Sequence, residues 1–383
     1  MQTQWDYIIA GGGCAGRSLA YQMSLHDALK DKQILIIEQD AKNKNDRTWS
    51  FWEKRPGPFE AIIRKRWENA WVHYGDVSRK LKLSPYSYKT ILGKDFYEYT
   101  DAAFRNAPSI NYLQANIQRT ENSGRVVTDA GTFEGKWIFS SLLKLPQKVA
   151  PFHWLWQHFL GRVIRTSLPQ FDPNAVTFMD FRVPQIDGTC FIYILPYSET
   201  EALIEFTVFS KDIWAKERYE AELNNYINNN IDGSYEVMEE EMGAIPMTDF
   251  PLTRTEENSK IIKIGSAGGA SKASTGYTFS RIQEDAALMA NRLANNSLPL
   301  QSNHFSKIRF RWFDSSLLGM LAKVNSSGDE FFFNLFAKNN TTDVFSFLEE
   351  KTRLSTELKI MSSTPIIKMS INGMSALSRL IRK

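Results

Sequence analysis

Three glycines and one strand-borne acid carry the chemistry open to this sequence. Gly11, Gly13 and Gly16 form GxGxxG directly after the apolar run Tyr7–Ala10. Glu38 follows 22 positions after Gly16, closing a second apolar run, Ile34–Ile37. Residues 14–29 between them carry a helical pattern. Strand, glycine turn, helix, strand and acid in this order suit a dinucleotide. The glycines allow close approach of a pyrophosphate, the helix N-terminus offers free N–H groups, and the acid accepts from a ribose. A second glycine-rich stretch, 261–293, reads as strand, loop and helix and contains Gly265, Gly268, Gly269 and Gly276. The chain after Glu38 does not continue as βαβ but runs into the Arg–aromatic loop "NDRTWSFWEKRPGPFE". Two separated glycine elements fit a long FAD better than NAD.

The acid is Glu205, in "EALIEFTVFS", 201–210. Alternation makes this stretch a strand with Ile204, Phe206 and Val208 on one face. Leu203, Glu205, Thr207 and Phe209 share the other. A carboxyl among such neighbours is either desolvated and held neutral, and so a general acid, or paired with an arginine such as Arg182. Glu241 in "EEEMGAIPM" and Asp180 in "FMDFRV" are further candidate carboxylates, and Asp180–Arg182 also reads as a structural ion pair. His158 in "WLWQHFLG" reads either as a core histidine or as a site residue. Cys14 reads as a small residue filling the glycine turn.

The elements that must position these residues follow from pattern. The class is α/β. A discontinuous FAD domain is expected over roughly 1–70, 95–145 and 255–295, with a helix at 94–107 and short strands over 111–140. A second domain, 71–94 and 146–254, is expected to be an antiparallel sheet, because 176–183, 189–195 and 202–209 alternate between turn signals. Residues 211–230 and 281–295 are expected to be helical, and so is most of 296–383. The stretch 305–324 mixes Lys and Arg with Phe, Trp and Leu, as a packed amphipathic helix or a membrane-surface helix would.

Composition narrows the classes. The 383 residues allow two or three lobes and a large core. A net charge of +3 gives no footprint for nucleic acid. Two cysteines supply neither a disulfide framework nor metal-ligand spacing, so no metal is expected. Aromatic residues reach 13%, with ten Trp and 25 Phe, as in an aromatic core or a site for a large apolar ligand. No run is long and apolar enough to cross a bilayer, and "WDYIIAGGG" lacks the order of a signal peptide. A reducing, cytoplasmic setting is the expectation.

Several stretches together resemble the flavin-dependent lycopene cyclases: "DYIIAGGGCAGRSLA", "RTWSFWE", "WLWQHFLGRVI", "FMDFRV", "FIYILPYSETEALIEFTVFS", "EEMGAIPM" and "GSAGGASKASTGYTFSRIQ". The resemblance implies a glutathione-reductase-type, hydroxylase-like FAD domain beside an antiparallel-sheet substrate domain and a helical C-terminal part. It implies FAD, active when reduced, with NADPH or another reductant to prime it. The substrate implied is lycopene or a related carotenoid, whose linear ends close to β-ionone rings without net redox change. Glu205 is then the general acid, with Glu241 and Asp180 behind it. Gly11, Gly13, Gly16, Glu38, Arg47, Gly265, Gly268, Gly269, Gly276 and Tyr277 are the cofactor-binding residues. A bilayer-dwelling substrate implies a place at the inner face of the cell membrane.

Two departures stand out. The acidic motif keeps a single acid, Glu205, before Phe206 and Thr207, where relatives often have two. The second glycine motif begins Gly265-Ser266 where hydroxylase relatives have Gly-Asp. A flavin hydroxylase, a polyprenyl reductase and a non-catalytic carotenoid-binding flavoprotein are the alternatives on the same fold.

Overall fold

The computed structural model describes residues 3–144, 150–302, 306–323 and 327–364. The first glycine motif sits in a seven-stranded sheet whose main path runs 110–114, 34–38, 4–10, 131–140, 125–128, 117–121, with 261–263 joined to 131–140. The pairings 4–10 with 34–38, 34–38 with 110–114 and 4–10 with 131–140 are parallel. Runs such as Ile34–Ile37 are apolar throughout because both faces are covered: helices lie over Ile34 and Ile36, while Leu35 and Ile37 pack with Val126 and Phe133 of the strands 125–128 and 131–140. The helix Cys14–Ser24 packs against the helix Phe279–Ala294 through Leu19, Met23, Ala286 and Met289.

The second seven-stranded sheet holds Glu205. Its order is 235–248, 154–166, 201–210, 189–196, 175–180, 69–74, 77–82. The three expected strands are present as neighbours and antiparallel. The sheet is not wholly antiparallel, because Ala175–Asp180 pairs with Asn69–Tyr74 in parallel. Residues 87–92 do not join it but pair with Thr48–Glu53 and Lys65–Trp67 in a three-stranded sheet.

Two long strands, Trp154–Thr166 and Tyr235–Thr248, flank Glu205's strand on one side. Neither announces itself by clean alternation. The first packs on both faces; the second lies on the sheet edge and carries exposed glutamates.

One face of this sheet buries Leu160, Ile192, Ile204, Phe206 and Val208 under the helix Lys216–Asn230. The opposite face meets Leu317, Phe332, Phe336 and Phe345 of the C-terminal helices. Those helices span Ile308–Leu321, Gly328–Ala337, Thr341–Leu348 and Leu354–Ser362. Of the two readings of 305–324, the packed helix fits the described residues: every residue from Phe313 to Leu321 is buried. This second half of the helix sits inside the aromatic core, whereas Ile308 and Arg309 in its first turn are exposed. Residues 365–383 of the expected helical region lie outside the described residues.

Candidate active site

The backbone around the first glycines is set by contact, not by preference. Gly11 has φ of +108°, and a Cβ on Gly16 would lie 2.0 Å from the carbonyl oxygen of Gly11. Gly13 differs: nothing stands within 4 Å of where its Cβ would be. The helix starting at Cys14 has no side-chain cap and no acid in its first turn. Its N–H groups therefore remain available to an anion. The Glu38 carboxylate accepts from Gly12 N–H at 2.7 Å and Asp40 N–H at 3.0 Å, leaving lone pairs for further donors.

A cavity of about 560 Å³ runs from Gly13 and Cys14, past Gly265 and Ser266, to the aromatic wall of Phe332 and Phe345. Gly276 and Tyr277 line it, and exposed Arg47 lies at its edge, donating to the Asp46 carbonyl at 2.7 Å. Gly268 and Gly269 turn away and line a smaller pocket of about 80 Å³ behind the loop. Gly265, Gly269 and Gly276 all hold positive φ.

Two buried polar atoms at the cavity, Gln157 Oε1 and Thr275 Oγ1, have no hydrogen-bond partner among the described residues. Such atoms are costly unless a ligand satisfies them. An uncapped helix N-terminus, open space at Gly13 and orphaned polar atoms further in are what a dinucleotide with a polar ring edge would fill. The residues present fit FAD.

The acid end is built from cross-strand register. Gly161 pairs with Glu205 on one neighbouring strand and with Glu241 on the other. Tyr193 pairs with Glu205 from the far side. Directly opposed residues share a face, so Tyr193, Glu205, Gly161 and Glu241 form one rung facing the cavity. Thr207 donates to Glu205 Oε1 at 2.5 Å, and Thr48 donates to Glu241 Oε2 at 2.9 Å. No cation is paired with Glu205 among the described residues. Burial, then the neighbouring Glu241 charge, pushes the Glu205 carboxyl up to about 8, against the lowering effect of Thr207. Burial pushes Glu241 up to about 7, against the Thr48 hydroxyl and the Arg47 charge.

Beside them, the Tyr88 hydroxyl lies 2.7 Å from that of Tyr193 and 3.2 Å from that of Tyr277. Burial raises all three phenols, so they stay neutral. Trp49, Trp52, Phe279 and Phe191 complete an aromatic lining.

Other expected residues lie elsewhere. Asp180 is not in the cavity. It faces the helix Lys216–Asn230, held by Arg182 at 2.6 and 2.8 Å and by the Tyr226 hydroxyl at 3.0 Å. The structural ion pair accounts for it. His158 faces the same side, between Ser210 and Tyr219, and burial drives it down to about 4. Cys14 touches the cavity, but burial pushes its thiol up to about 12, consistent with a filler and not a nucleophile.

Sequence reading missed Gly161, Gln157, Thr48, Tyr88 and Tyr193. A glycine inside a strand was the one available signal, since it marks close approach or a gap.

The family model described as "Lycopene cyclase protein" matches residues 6–374. A lycopene beta-cyclase of Paracoccus sp. is 26% identical over 210 residues, 54% of this chain and 51% of that protein. One of Pantoea ananas is 26% identical over 216 residues, 54% of this chain and 53% of that protein. The chain thus spans about half the length of these curated relatives. Among solved structures, a geranylgeranyl bacteriochlorophyll reductase-like protein of Thermoplasma acidophilum superposes with TM-score 0.62 at 13% identity, covering 100% of both chains. A flavin-dependent brominase superposes with TM-score 0.56 at 12% identity, covering 97% of this chain and 94% of its own. At such identities the likeness is one of fold. With the family model matched almost end to end, the chain belongs to the lycopene cyclase family.

Proposed function

We propose that this protein is an FAD-dependent lycopene beta-cyclase, closing the linear ends of lycopene to β-ionone rings to give γ- and β-carotene. The observation that carries the reading is Glu205: a buried carboxyl, unpaired with any cation among the described residues, facing an aromatic cavity that continues to both glycine loops.

The reaction is an isomerisation. Glu205 gives its proton to C2 of the terminal alkene. The C5=C6 alkene attacks the C1 cation, and the C5 cation then loses the proton on C6. A carboxyl with an ordinary pKa would be ionised at neutral pH and could not donate; desolvation keeps this one protonated. The faces of Trp49, Trp52 and Tyr277 favour positive charge in the cavity, and its phenyl walls exclude water. Gly13 and the N–H groups after it would hold the pyrophosphate of FAD, with Glu38 on a ribose. Reduced FAD, when bound, supplies negative charge that stabilises a nearby carbocation. A reductant such as NADPH is then needed to prime the flavin, not once per ring. The substrate's home in bilayers points to the inner face of the cell membrane as the working location.

The test is anaerobic incubation with lycopene in lipid and reduced FAD, followed by pigment analysis. Many rings per reduced flavin are expected. One flavin oxidised per ring would favour a reductase, oxygen consumed per product a hydroxylase, and binding without conversion a carrier. Gly13→Leu should yield colourless protein, because its side chain occupies the space open to the pyrophosphate.

A further inference from the structure

We propose that the carboxylate of Glu241 takes the proton released from C6, and that this proton returns to Glu205 across the side-chainless position Gly161. The proposal rests on the cyclase reading of the same site and adds how the acid is reloaded.

Register supplies the geometry. Glu205 and Glu241 lie on strands either side of Trp154–Thr166, and both pair with Gly161. Two strand spacings put their backbones about 10 Å apart. Any other residue at position 161 would project a side chain between them, on the face both carboxyls share. Gly161 instead leaves room for the Glu205 side chain, whose Cβ and Cγ lie 3.4 and 3.5 Å from where a Cβ at 161 would stand, so nothing from the central strand stands between the two acids. Both carboxyls line the one cavity, and each is oriented by a threonine hydroxyl, Thr207 at 2.5 Å and Thr48 at 2.9 Å. Asp180 cannot serve, because it faces the other side of the sheet and is held by Arg182.

The balance closes. At the start Glu205 carries a proton and Glu241 does not. The Glu205 O–H bond breaks as the C2–H bond forms, and the C1–C6 bond closes the ring. The C6–H bond then breaks, its electron pair forms the ring alkene, and the proton lands on Glu241. Substrate and product are isomers, and no electrons leave. The protein now holds the same proton on the wrong acid. Passage from Glu241 to Glu205 restores the starting state without drawing on bulk solvent. The direction of return agrees with the ordering of the two acids, since Glu205 is pushed to about 8 and Glu241 to about 7.

The experiment uses lycopene deuterated at C6 and C6′, turned over anaerobically in ordinary water by the full chain loaded with reduced FAD. A closed return hands the deuteron lost from one C6 to C2 of the next end. After the first ring per protein, β-carotene should keep close to both labels by mass. Product that has lost both labels to solvent overturns the return. Gly161→Ala gives a kinetic reading. Its Cβ would lie 3.1 Å from Leu203 Cδ1 and 3.4 Å from Glu205 Cβ, a tight fit that sets a methyl group on the path between the two acids. Later rings should form at least tenfold more slowly than the variant's own first ring. Equal slowing of first and later rings overturns the Gly161 route. Glu241→Gln, with flavin absorbance unchanged, should slow the first ring itself tenfold or more, and a parent-like first ring removes Glu241 as acceptor. A parent protein that forms no ring at all overturns this proposal together with the cyclase reading, whereas label loss during normal cyclisation overturns the return alone.

Discussion

Asp180 and Glu205 are two buried carboxyls in one sheet, separated by a single strand, and they end in opposite electrostatic states. Asp180 is 1% exposed and Glu205 7%, so burial does not distinguish them. Register does. Asp180 pairs with Ile192, whose side chain packs toward the helix Lys216–Asn230, whereas Glu205 pairs with the next residue, Tyr193, which faces the cavity. One position along a strand reverses the face. On the helix side Asp180 meets Arg182 and Tyr226; burial works to raise it, but the Arg182 hydrogen bonds and charge outweigh burial and hold it below the usual range. On the cavity side Glu205 meets Thr207 and another acid, and burial wins. The guanidinium holds Asp180 ionised, whereas Glu205, with no cation beside it among the described residues, is held protonated, as its proposed role requires.

The largest expected effect breaks the comparison at Glu205. Glu205→Gln keeps the shape and removes the acidic proton. Ring formation in a single-turnover assay should fall by about a hundredfold or more, the scale of losing a general acid. Flavin absorbance should be unchanged, and the melting temperature equal or higher, because a desolvated carboxyl becomes a neutral amide. A flavin-loaded variant cyclising at the parent rate removes Glu205 from the mechanism.

The pH dependence of stability comes next. A carboxyl raised to about 8 binds its proton more tightly in the folded than in the unfolded state. Its contribution to stability is complete below the ordinary Glu value and is lost as pH rises toward 8. The slope reaches about 1.4 kcal/mol per pH unit at most for such a group. Glu241 acts in the same sense up to about 7. Asp180 acts in the opposite sense, contributing above the ordinary Asp value and losing its contribution as pH falls through its depressed one. Denaturant unfolding from pH 5 to 8 should show falling stability in the parent and a shallower fall in Glu205→Gln. Equal slopes would mean that Glu205 is not held protonated.

Asp180→Asn should do the reverse of the Glu205 change. It leaves Arg182 without its acid and weakens the Tyr226 contact. The cost should be about 2 kcal/mol, the scale of charged hydrogen bonds, and less than for a fully buried pair because Arg182 is 44% exposed. Turnover of the folded fraction should stay within about threefold of the parent by pigment analysis. A hundredfold loss with unchanged stability would return Asp180 to the chemistry.

The sequence made the local half of this legible. GxGxxG with Glu38 is a continuous stretch; its two strands appear where the pattern puts them, and its helix covers Cys14–Ser24, ending before the expected 29. The alternation of 201–210 correctly put Glu205 opposite Ile204 and Phe206. What remained hidden is non-local. That Gly161 stands between two acids depends on pairing with strands about 40 and 80 residues later in the chain, and local pattern carries no register at such separations. Thr48 reaches Glu241 from the three-stranded sheet, a contact no spacing announces. The strand 235–248 shows no clean alternation because it is an edge strand whose first half is exposed.

The smallest expected effect sharpens the comparison at Thr207, the one group that lowers the pKa of Glu205. Its hydroxyl donates to Oε1, a bond that favours the ionised form. Thr207→Val keeps the branched shape and removes the donor. If the bond contributes about 1 kcal/mol, the Glu205 pKa should rise by about 0.7 unit. The basic limb of the ring-formation profile should then move to higher pH by that amount. At neutral pH the parent acid is already mostly protonated, so the rate there should change by less than about threefold, with a slightly weaker acid offsetting a fuller proton load. A purely structural Thr207 predicts otherwise: lower stability from an unsatisfied carboxyl oxygen, and a pH profile that does not move. An unshifted basic limb in a folded, flavin-loaded Val variant would show that the limb belongs to another group, with Glu241 next in line by position and by its own raised value.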